Sequence, residues 1–525
     1  MRNMKKYIFK YSLITALFVG GAACTNLDEN LPGQYTKKFT PSNPGVGIPN
    51  NVNKAQPNDG LQGAFNNLLN GIATNGGFFA IQEGGTDEAV ITQKGGDWYD
   101  GGLYIKIHQH LFTPQTWAIN DTWNHAYNGI FQCNSLLTGK DAIPNITAAQ
   151  NAQLRFLRAF FYWRLMDVFG NVPIVTVPGT GALQSTRTQV FNFVESEVLA
   201  IIGNLPSGVQ DYGRVSQAGA HAFLSRLYLN AKVYTGTPQW QKASDQADFV
   251  INSALYSLAP NYADVFSPSN CCNAGANMEI LFAVPFDEAT GQGATWHEET
   301  LHYPSQLTYS FANQPWNGFS TLEDFYNSYD ANDLRKKNNF IVGPQFAADG
   351  TTPILDLAFD KADPDGAPVN YTPKINELYP NGSRQAGARF GKFSFKRGAQ
   401  QNDDNDFPLL RFGEVLLNKA EALFNLNGYN DGTGLALVNQ LRTRAGSTPL
   451  GNMSPTIMLA ERGREMFVEA VRRTDMIRLG TYFSGSWAFT TPDPDPVNHG
   501  LMAIPIEQMQ SSASTPYKLV QNPGY

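Results

Sequence analysis

Basic charge is in short supply in this chain: 38 Lys and Arg stand against 45 Asp and Glu in 525 residues, a net charge of −7. Contact with nucleic-acid phosphates needs a basic surface, so that partner class is excluded. Arg2, Lys5, Lys6 and Lys10 lie in the first 23 residues, which hold no acid; without these four, 34 bases face 45 acids, a balance of −11. Neutral sugars tolerate such a charge. Cysteine is also scarce, at four residues. With Cys24 set aside, Cys133, Cys271 and Cys272 form an odd count, which leaves at least one thiol free or paired between molecules. Adjacent Cys271 and Cys272 are open between a vicinal disulfide and two loop thiols, because connectivity is not written in sequence. Beyond residue 23 no stretch is apolar enough to cross a bilayer, which takes ~20 residues.

Catalytic signatures are missing too. Gly387–Lys392 (GARFGK) fails as a phosphate loop: its first glycine is one position too close, and Phe393 stands where Ser or Thr belongs. Gly-x-Gly at Gly45, Gly179 and Gly291 never completes a dinucleotide fingerprint. No Gly-x-Ser-x-Gly elbow and no His-Glu-x-x-His occurs. His108 and His110 are a close histidine pair with no third metal ligand in view, and they read as surface or core histidines. Lys361-Ala-Asp-Pro-Asp-Gly imitates a calcium loop with Lys361 in place of the first acid, and Asp403, Asp404 and Asp406 form a second acidic cluster. Solvated turns explain both, so no metal and no cofactor is assigned.

What the chain does have is aromatic residues, at 12%, with 48 Gly and 31 Pro and a charged fraction of only 16%. That mixture suits a globular protein with many long, ordered loops. Its length suits two intimately packed lobes. The start reads as a targeting segment: a basic region, an uncharged run from Tyr11 to Ala23, then small residues. Gly21-Ala22-Ala23-Cys24 resembles a lipoprotein cleavage box, with Cys24 as the acylated first residue.

Helical periodicity then organises most of the chain. Thr147 and Gln150 stand in the relation of a capping box. Leu154, Leu157, Phe161, Leu165 and Val168 follow at helical spacing, and Phe156, Phe160 and Trp163 make the other faces apolar too. A helix apolar all round is a buried one. Gly170 stops it and Pro173 follows. Further helices are expected over 60–73, 118–137, 188–205, 216–234 and 240–255, with Trp123, Tyr127 and Ile130 in the core. A strand is expected over 280–285. Helices are expected again over 408–427, 435–444 and 456–479. Small residues at the crossings give the pairs a tetratricopeptide character without a strict 34-residue period. On the 408–427 helix, Arg411, Glu414, Asn418 and Glu421 form one polar stripe; Arg411 beside Glu414, and Glu469 beside Arg473, read as neutralising pairs that lower a carboxylate pKa. A general acid needs it raised, so this is structural interlock.

Four blocks now carry a resemblance. Arg155-Phe-Leu-Arg-Ala-Phe-Phe-Tyr with Asp167-Val-Phe-Gly-Asn-Val-Pro, the 408–427 block, the Glu461–Gly480 block, and Ile504-Pro-Ile with the terminal Gln521-Asn-Pro-Gly-Tyr occur in the order found in SusD/RagB outer-membrane lipoproteins. The chain resembles that family from end to end of its mature part. The resemblance implies a mainly α, SusD-like fold with tetratricopeptide-type helix pairs, long ordered loops and a few short strands. It implies a signal peptide over 1–23 and a lipidated tether and wrapping segment over 24–58, where early acids such as Asp28 and Glu29 accompany export to the cell surface. A helical region over 59–256 and a C-terminal region over 257–525 follow, the latter split into a loop-rich ligand-binding insert (257–407) and closing helices (408–480). The implied function is a lipid-anchored protein of the cell outer membrane that captures an oligosaccharide or polysaccharide and delivers it to a SusC-like TonB-dependent transporter, without catalysis. A lipid-anchored glycoside hydrolase, and a peptide- or protein-binding member of the same family, are the alternatives.

The expected ligand contacts are loop aromatics. Gly95, Gly96, Gly101 and Gly102 bracket Trp98 and Tyr99, and such a loop has unusual backbone freedom. Trp296 and Trp316 lie in the Gly/Pro/Asn-rich stretch after residue 257. An aromatic plane matches the C–H face of a pyranose at little entropic cost. Trp98, Tyr99, Trp296 and Trp316 are therefore the candidates, expected to converge on one exposed face; burial in the core is the competing use of each ring.

Overall fold

The computed structural model describes residues 59–208, 212–268, 270–271, 276, 278–290, 293–357, 366–492 and 500–525. The expected signal peptide, Cys24, the tether, Cys272 and Lys361 of the calcium-like loop lie outside these. The fold is mainly α. Its principal elements in chain order are α1 (Gly77–Glu83), β1 (Val90–Ile91), α2 (Trp117–Thr138), α3 (Ala148–Phe169), α4 (Arg187–Ile201), α5 (Gln217–Leu229), α6 (Trp240–Ser253), β2 (Ile280–Val284), α7 (Trp296–Thr300), β3 (Phe319–Ser320), β4 (Arg389–Phe390), β5 (Phe407–Arg411), α8 (Phe412–Asn427), α9 (Gly432–Arg444), α10 (Pro455–Met466) and α11 (Arg472–Arg478).

Helix α3 is the centre of the N-terminal half. Its capping box is in place: Thr147 Oγ1 accepts from Gln150 N at 3.2 Å, and Gln150 Oε1 accepts from Thr147 N at 3.0 Å. Every residue from Ala152 to Phe169 except Arg155 is buried. It packs between α2 and α4. The approach to α2 is close because Gly129 has no Cβ; one would lie 2.2 Å from the Phe161 ring. Arg164 is buried in this apolar surrounding with its guanidinium 4.9 Å from the Phe78 ring and 5.0 Å from Phe160. Burial pushes it down to about 9. The sequence α5, α6, α8, α9 continues the pairwise helix packing, and α11 closes back onto α1, so the C-terminal helices seal the N-terminal ones.

Three expected helices differ in kind, and a fourth, 216–234, breaks at Asn230 into α5 and a short helix, Ala231–Thr235. The stretch 408–427 begins as a strand: Phe407–Arg411 pairs antiparallel with Ile280–Val284, all ten residues buried. Pro408 looked like a helix start, but it biases Phe407 toward extended backbone, and in a two-stranded ladder a missing N–H is tolerated. The stretch 456–479 is two helices, parted at 467–471, where Val468 and Ala470 take φ of 50° and 58°. The expected 60–73 helix is a single turn, Gln62–Phe65, with a 3-10 turn after it.

The break at 467–471 serves the charges. Glu469 turns to Arg411 Nε and Nη2, each 2.7 Å away, and to Lys392 Nζ at 2.5 Å. Arg411 also meets Glu279 at 2.8 Å and Glu465 at 2.7 Å. Glu414 pairs instead with Arg226 at 2.6 Å, and Glu421 with Arg478 at 2.6 Å. The interlock is therefore real but between elements, not between neighbours on one helix as the spacing suggested. Burial pushes Glu461 up, yet Arg335, Arg464 and Arg442 outweigh it and hold the carboxyl at about 2. Breaking such a buried pair is costly because an uncompensated charge remains. The acidic cluster near residue 404 is likewise occupied: Asp404 pairs with Lys396 at 2.8 Å, and Asp406 Oδ1 accepts from Phe286 N at 2.7 Å. Among the described residues no group of three or more His, Cys, Asp or Glu is placed to hold a metal, and no helix is long and apolar enough to cross a membrane. His108 and His110 are core residues; His110 stacks on Tyr482 at 4.3 Å. Cys133 is a buried free thiol, pushed up to about 12 by burial.

Candidate functional site

A surface groove of about 450 Å³ is lined by Asp97, Trp98, Asp100, Tyr303, Gln314, Pro315 and Trp316. One wall comes from the glycine-bracketed loop after β1, the other from the stretch between α7 and β3. The short β1–β3 ladder, Val90 opposite Ser320 and Ile91 opposite Phe319, brings the two together.

Both walls carry left-handed backbone at non-glycine residues. Trp98 has φ 61°, Asp100 φ 41° and Asn317 φ 60°. For a bulky residue such as Trp this is a genuine outlier, and strain of ~1–3 kcal/mol per residue persists only where surrounding contacts over-determine it. Those contacts are present. Trp98 Nε1–H donates to the Trp316 carbonyl at 2.6 Å. Trp316 N–H donates to Glu298 O at 2.7 Å, and Asn317 N–H to Leu301 O at 2.9 Å. Lys94 is fully buried and donates from Nζ to Gly318 O at 2.6 Å. Burial, helped by nearby Arg389 and opposed by Asp97, pushes its pKa well below the lysine range. Gly318 is required by the close approach: a Cβ there would lie 2.7 Å from Glu299 O and 2.8 Å from Trp98 Cζ2. The Trp98 ring also meets Tyr104 edge to face at 5.5 Å. The half-buried Trp98 indole is thus held in place before any ligand arrives, and half-buried Trp316 is anchored beside it through its backbone.

Behind the groove, α7 presents two buried carboxyls. Glu298 and Glu299 are both fully buried. Neither oxygen of Glu298 finds a hydrogen-bond donor among the described residues, and burial pushes it up to about 7. Burial pushes Glu299 up to about 8 against the pull of Asn75 N at 3.2 Å and Thr74 Oγ1 at 3.3 Å. Neither side chain reaches the surface, so neither can touch a substrate.

Of the four expected aromatic contacts, Trp98 and Trp316 share the groove. Tyr99 is 50% exposed beside it but does not line it. Trp296 is elsewhere. It opens α7 instead of sitting in a loop, is 2% exposed, and stacks on Phe393 at 5.2 Å and meets Phe79 at 4.8 Å. Its competing use in the core prevails, and the expected convergence of all four rings holds only for Trp98 and Trp316. Asp97 and Asp100 adjoin Trp98 and Tyr99, and Gln314 lies two residues before Trp316, so all three are readable as rim partners. Tyr303, between His302 and Pro304, carried no sequence signal. A second groove of about 440 Å³ lies on the 326–342 segment, where Lys336 Nζ sits 4.2 Å from the Tyr326 ring and covers that ring with the chain's own cation.

Two family models match the chain: one described as the SusD family, over residues 379–525, and one described as starch-binding associating with outer membrane, over residues 81–229. The starch-binding protein SusD of Bacteroides thetaiotaomicron is 28% identical over 387 residues, covering 65% of this chain and 66% of that protein, just under two thirds of its length. Among solved structures, a SusD superfamily protein from Parabacteroides distasonis aligns with a TM-score of 0.69 at 21% identity, over 88% of this chain and 98% of that one. A laminarin-binding SusD-like protein aligns with a TM-score of 0.67 at 23% identity, over 89% and 98%. These two structural likenesses speak for the fold.

Proposed function

The chain belongs to the SusD/RagB family, and from that premise we propose that it is a cell-surface protein that binds a glycan in the Trp98–Trp316 groove without turning it over. The observation that carries the reading is the clamp between the two loops: Trp98 Nε1–H on the Trp316 carbonyl fixes the Trp98 indole and the Trp316 backbone, so that two half-buried indoles line one open groove. Preorganised aromatic area loses little entropy on binding, which is how a surface groove gains affinity for a ring with an apolar face. Asp97, Asp100, Tyr303 and Gln314 supply the polar rim that orients hydroxyls. Tyr99, beside the groove, is assigned to longer chains. Relatives named for starch and laminarin binding support the ligand class.

The hydrolase alternative finds no accessible acid with a raised pKa in the groove among the described residues: Glu298 and Glu299, whose pKa values are raised, are buried behind it. Delivery to a SusC-like TonB-dependent transporter, and anchoring to the outer membrane through acylated Cys24, complete the proposal. A glycan array probed with the full-length protein in mild detergent tests the core of it. Binding of at least one glycan, with no new reducing ends after prolonged incubation, is expected. New reducing ends would select the hydrolase, and capture of peptides alone would select the peptide-binding alternative. Cys24→Ala is expected to abolish acyl labelling and to release the protein from membranes.

A further inference from the structure

Resting on the reading of the groove as a glycan site, we infer that its ligand is an uncharged oligosaccharide and that uronate-bearing and sulfated chains are rejected. The lining holds two formal charges, Asp97 and Asp100, both negative, and no Lys, Arg or His. The cations anchored to the two loops are committed to backbone or lie off the groove. Lys94 is buried on Gly318 O. Arg389, also buried, donates to Ser320 Oγ at 2.5 Å and to the Arg384 carbonyl. Lys106 is exposed, with its ammonium 3.2 Å from Gly101 O, and does not line the groove. Asp100 is exposed and has no ion-pair partner among the described residues.

This arrangement discriminates in both directions. A carboxylate accepts hydrogen bonds from sugar hydroxyls, and a charged acceptor makes the stronger bond. The same Asp100 faces an anionic sugar with no counter-charge in the groove, so each close like-charge contact lowers affinity by about fivefold in a wet site. Specificity of this kind comes from a built-in repulsion as much as from attraction.

The test is an array holding neutral, uronate and sulfated oligosaccharides, probed with the full-length protein in mild detergent, followed by titration of the best hit against wild type, Trp316→Ala and Asp100→Asn. Asn tolerates the left-handed backbone of position 100, so the loop keeps its shape. Hits confined to neutral chains are expected, with affinity falling about fivefold in Asp100→Asn as the charged acceptor becomes a neutral one. Uronate or sulfated hits that vanish in Trp316→Ala would overturn this inference and leave the groove as the glycan site. Unchanged affinity of a neutral chain in Asp100→Asn would remove the acidic rim from recognition. No hit in any class would overturn the glycan reading itself, and this inference with it.

Discussion

Replacing Trp316 by Ala separates binding from folding more cleanly than any other change in the groove. Trp98 bonds the backbone carbonyl of residue 316, at 2.6 Å, and not its ring. Trp316→Ala therefore deletes one stacking surface and leaves the clamp intact. Full burial of a Trp ring is worth ~3–5 kcal/mol on truncation, so a half-buried one is expected to cost ~2 kcal/mol of stability. As a hot spot it contributes ~2 kcal/mol to binding, roughly thirtyfold in affinity. Trp98→Phe makes the complementary cut. It keeps a smaller aromatic face and removes the Nε1–H donor, a bond worth ~1 kcal/mol net, so a loss of at least about fivefold is expected from a loosened platform. Trp98→Ala removes both and should exceed either. Calorimetric titration against the best array ligand gives the affinities, and urea midpoints give the stabilities. An unchanged dissociation constant in Trp316→Ala would refute the platform, and a collapse of the fold in that variant would show that the ring belongs to the core.

Trp296 is expected to behave in the opposite way. Trp296→Ala should lose ~3–5 kcal/mol of stability, with binding unchanged at any temperature where the variant remains folded; an affinity loss without destabilisation would contradict its placement. The buried carboxyls make a pH prediction. Because Glu298 and Glu299 have folded-state pKa values raised to about 7 and about 8, the native state retains protons that the unfolded chain releases above its ordinary carboxyl pKa. Stability should therefore fall as pH rises from ~5 to ~8.5, by on the order of 3 kcal/mol from Glu298 alone. Glu298→Gln should flatten that decline in urea unfolding measured across the same range, and an identical slope in the variant would contradict the assignment.

Elements set by local pattern were legible in advance. The capping box at Thr147, the all-round apolar face of α3 and the small-residue crossings need only neighbours in sequence. What was not legible depends on distant partners. Phe407–Arg411 is an apolar run that serves helix or strand equally, and Ile280–Val284 decides for strand. Glu469 and Arg473 have the spacing of a helical pair, yet Arg411 and Lys392 draw Glu469 away and the helix breaks there. Trp296 and Trp316 lie in similar compositions only twenty residues apart. One meets Phe79, Phe393 and Phe407 and is buried; the other meets Trp98 through its backbone and stays at the surface. Nothing local distinguishes them. The strain at Trp98 was half-visible, since four flanking glycines announced a loop with unusual backbone, but the left-handed tryptophan itself was not.

The most direct test of the central claim is a crystal structure of the protein with the tightest-binding array glycan. A pyranose ring is expected packed on the Trp98 and Trp316 indoles, with hydroxyls within hydrogen-bond distance of the Asp97 or Asp100 carboxylates. A glycan seated instead on the 326–342 segment, between Tyr326 and Lys336, with the Trp98–Trp316 groove empty, would contradict it.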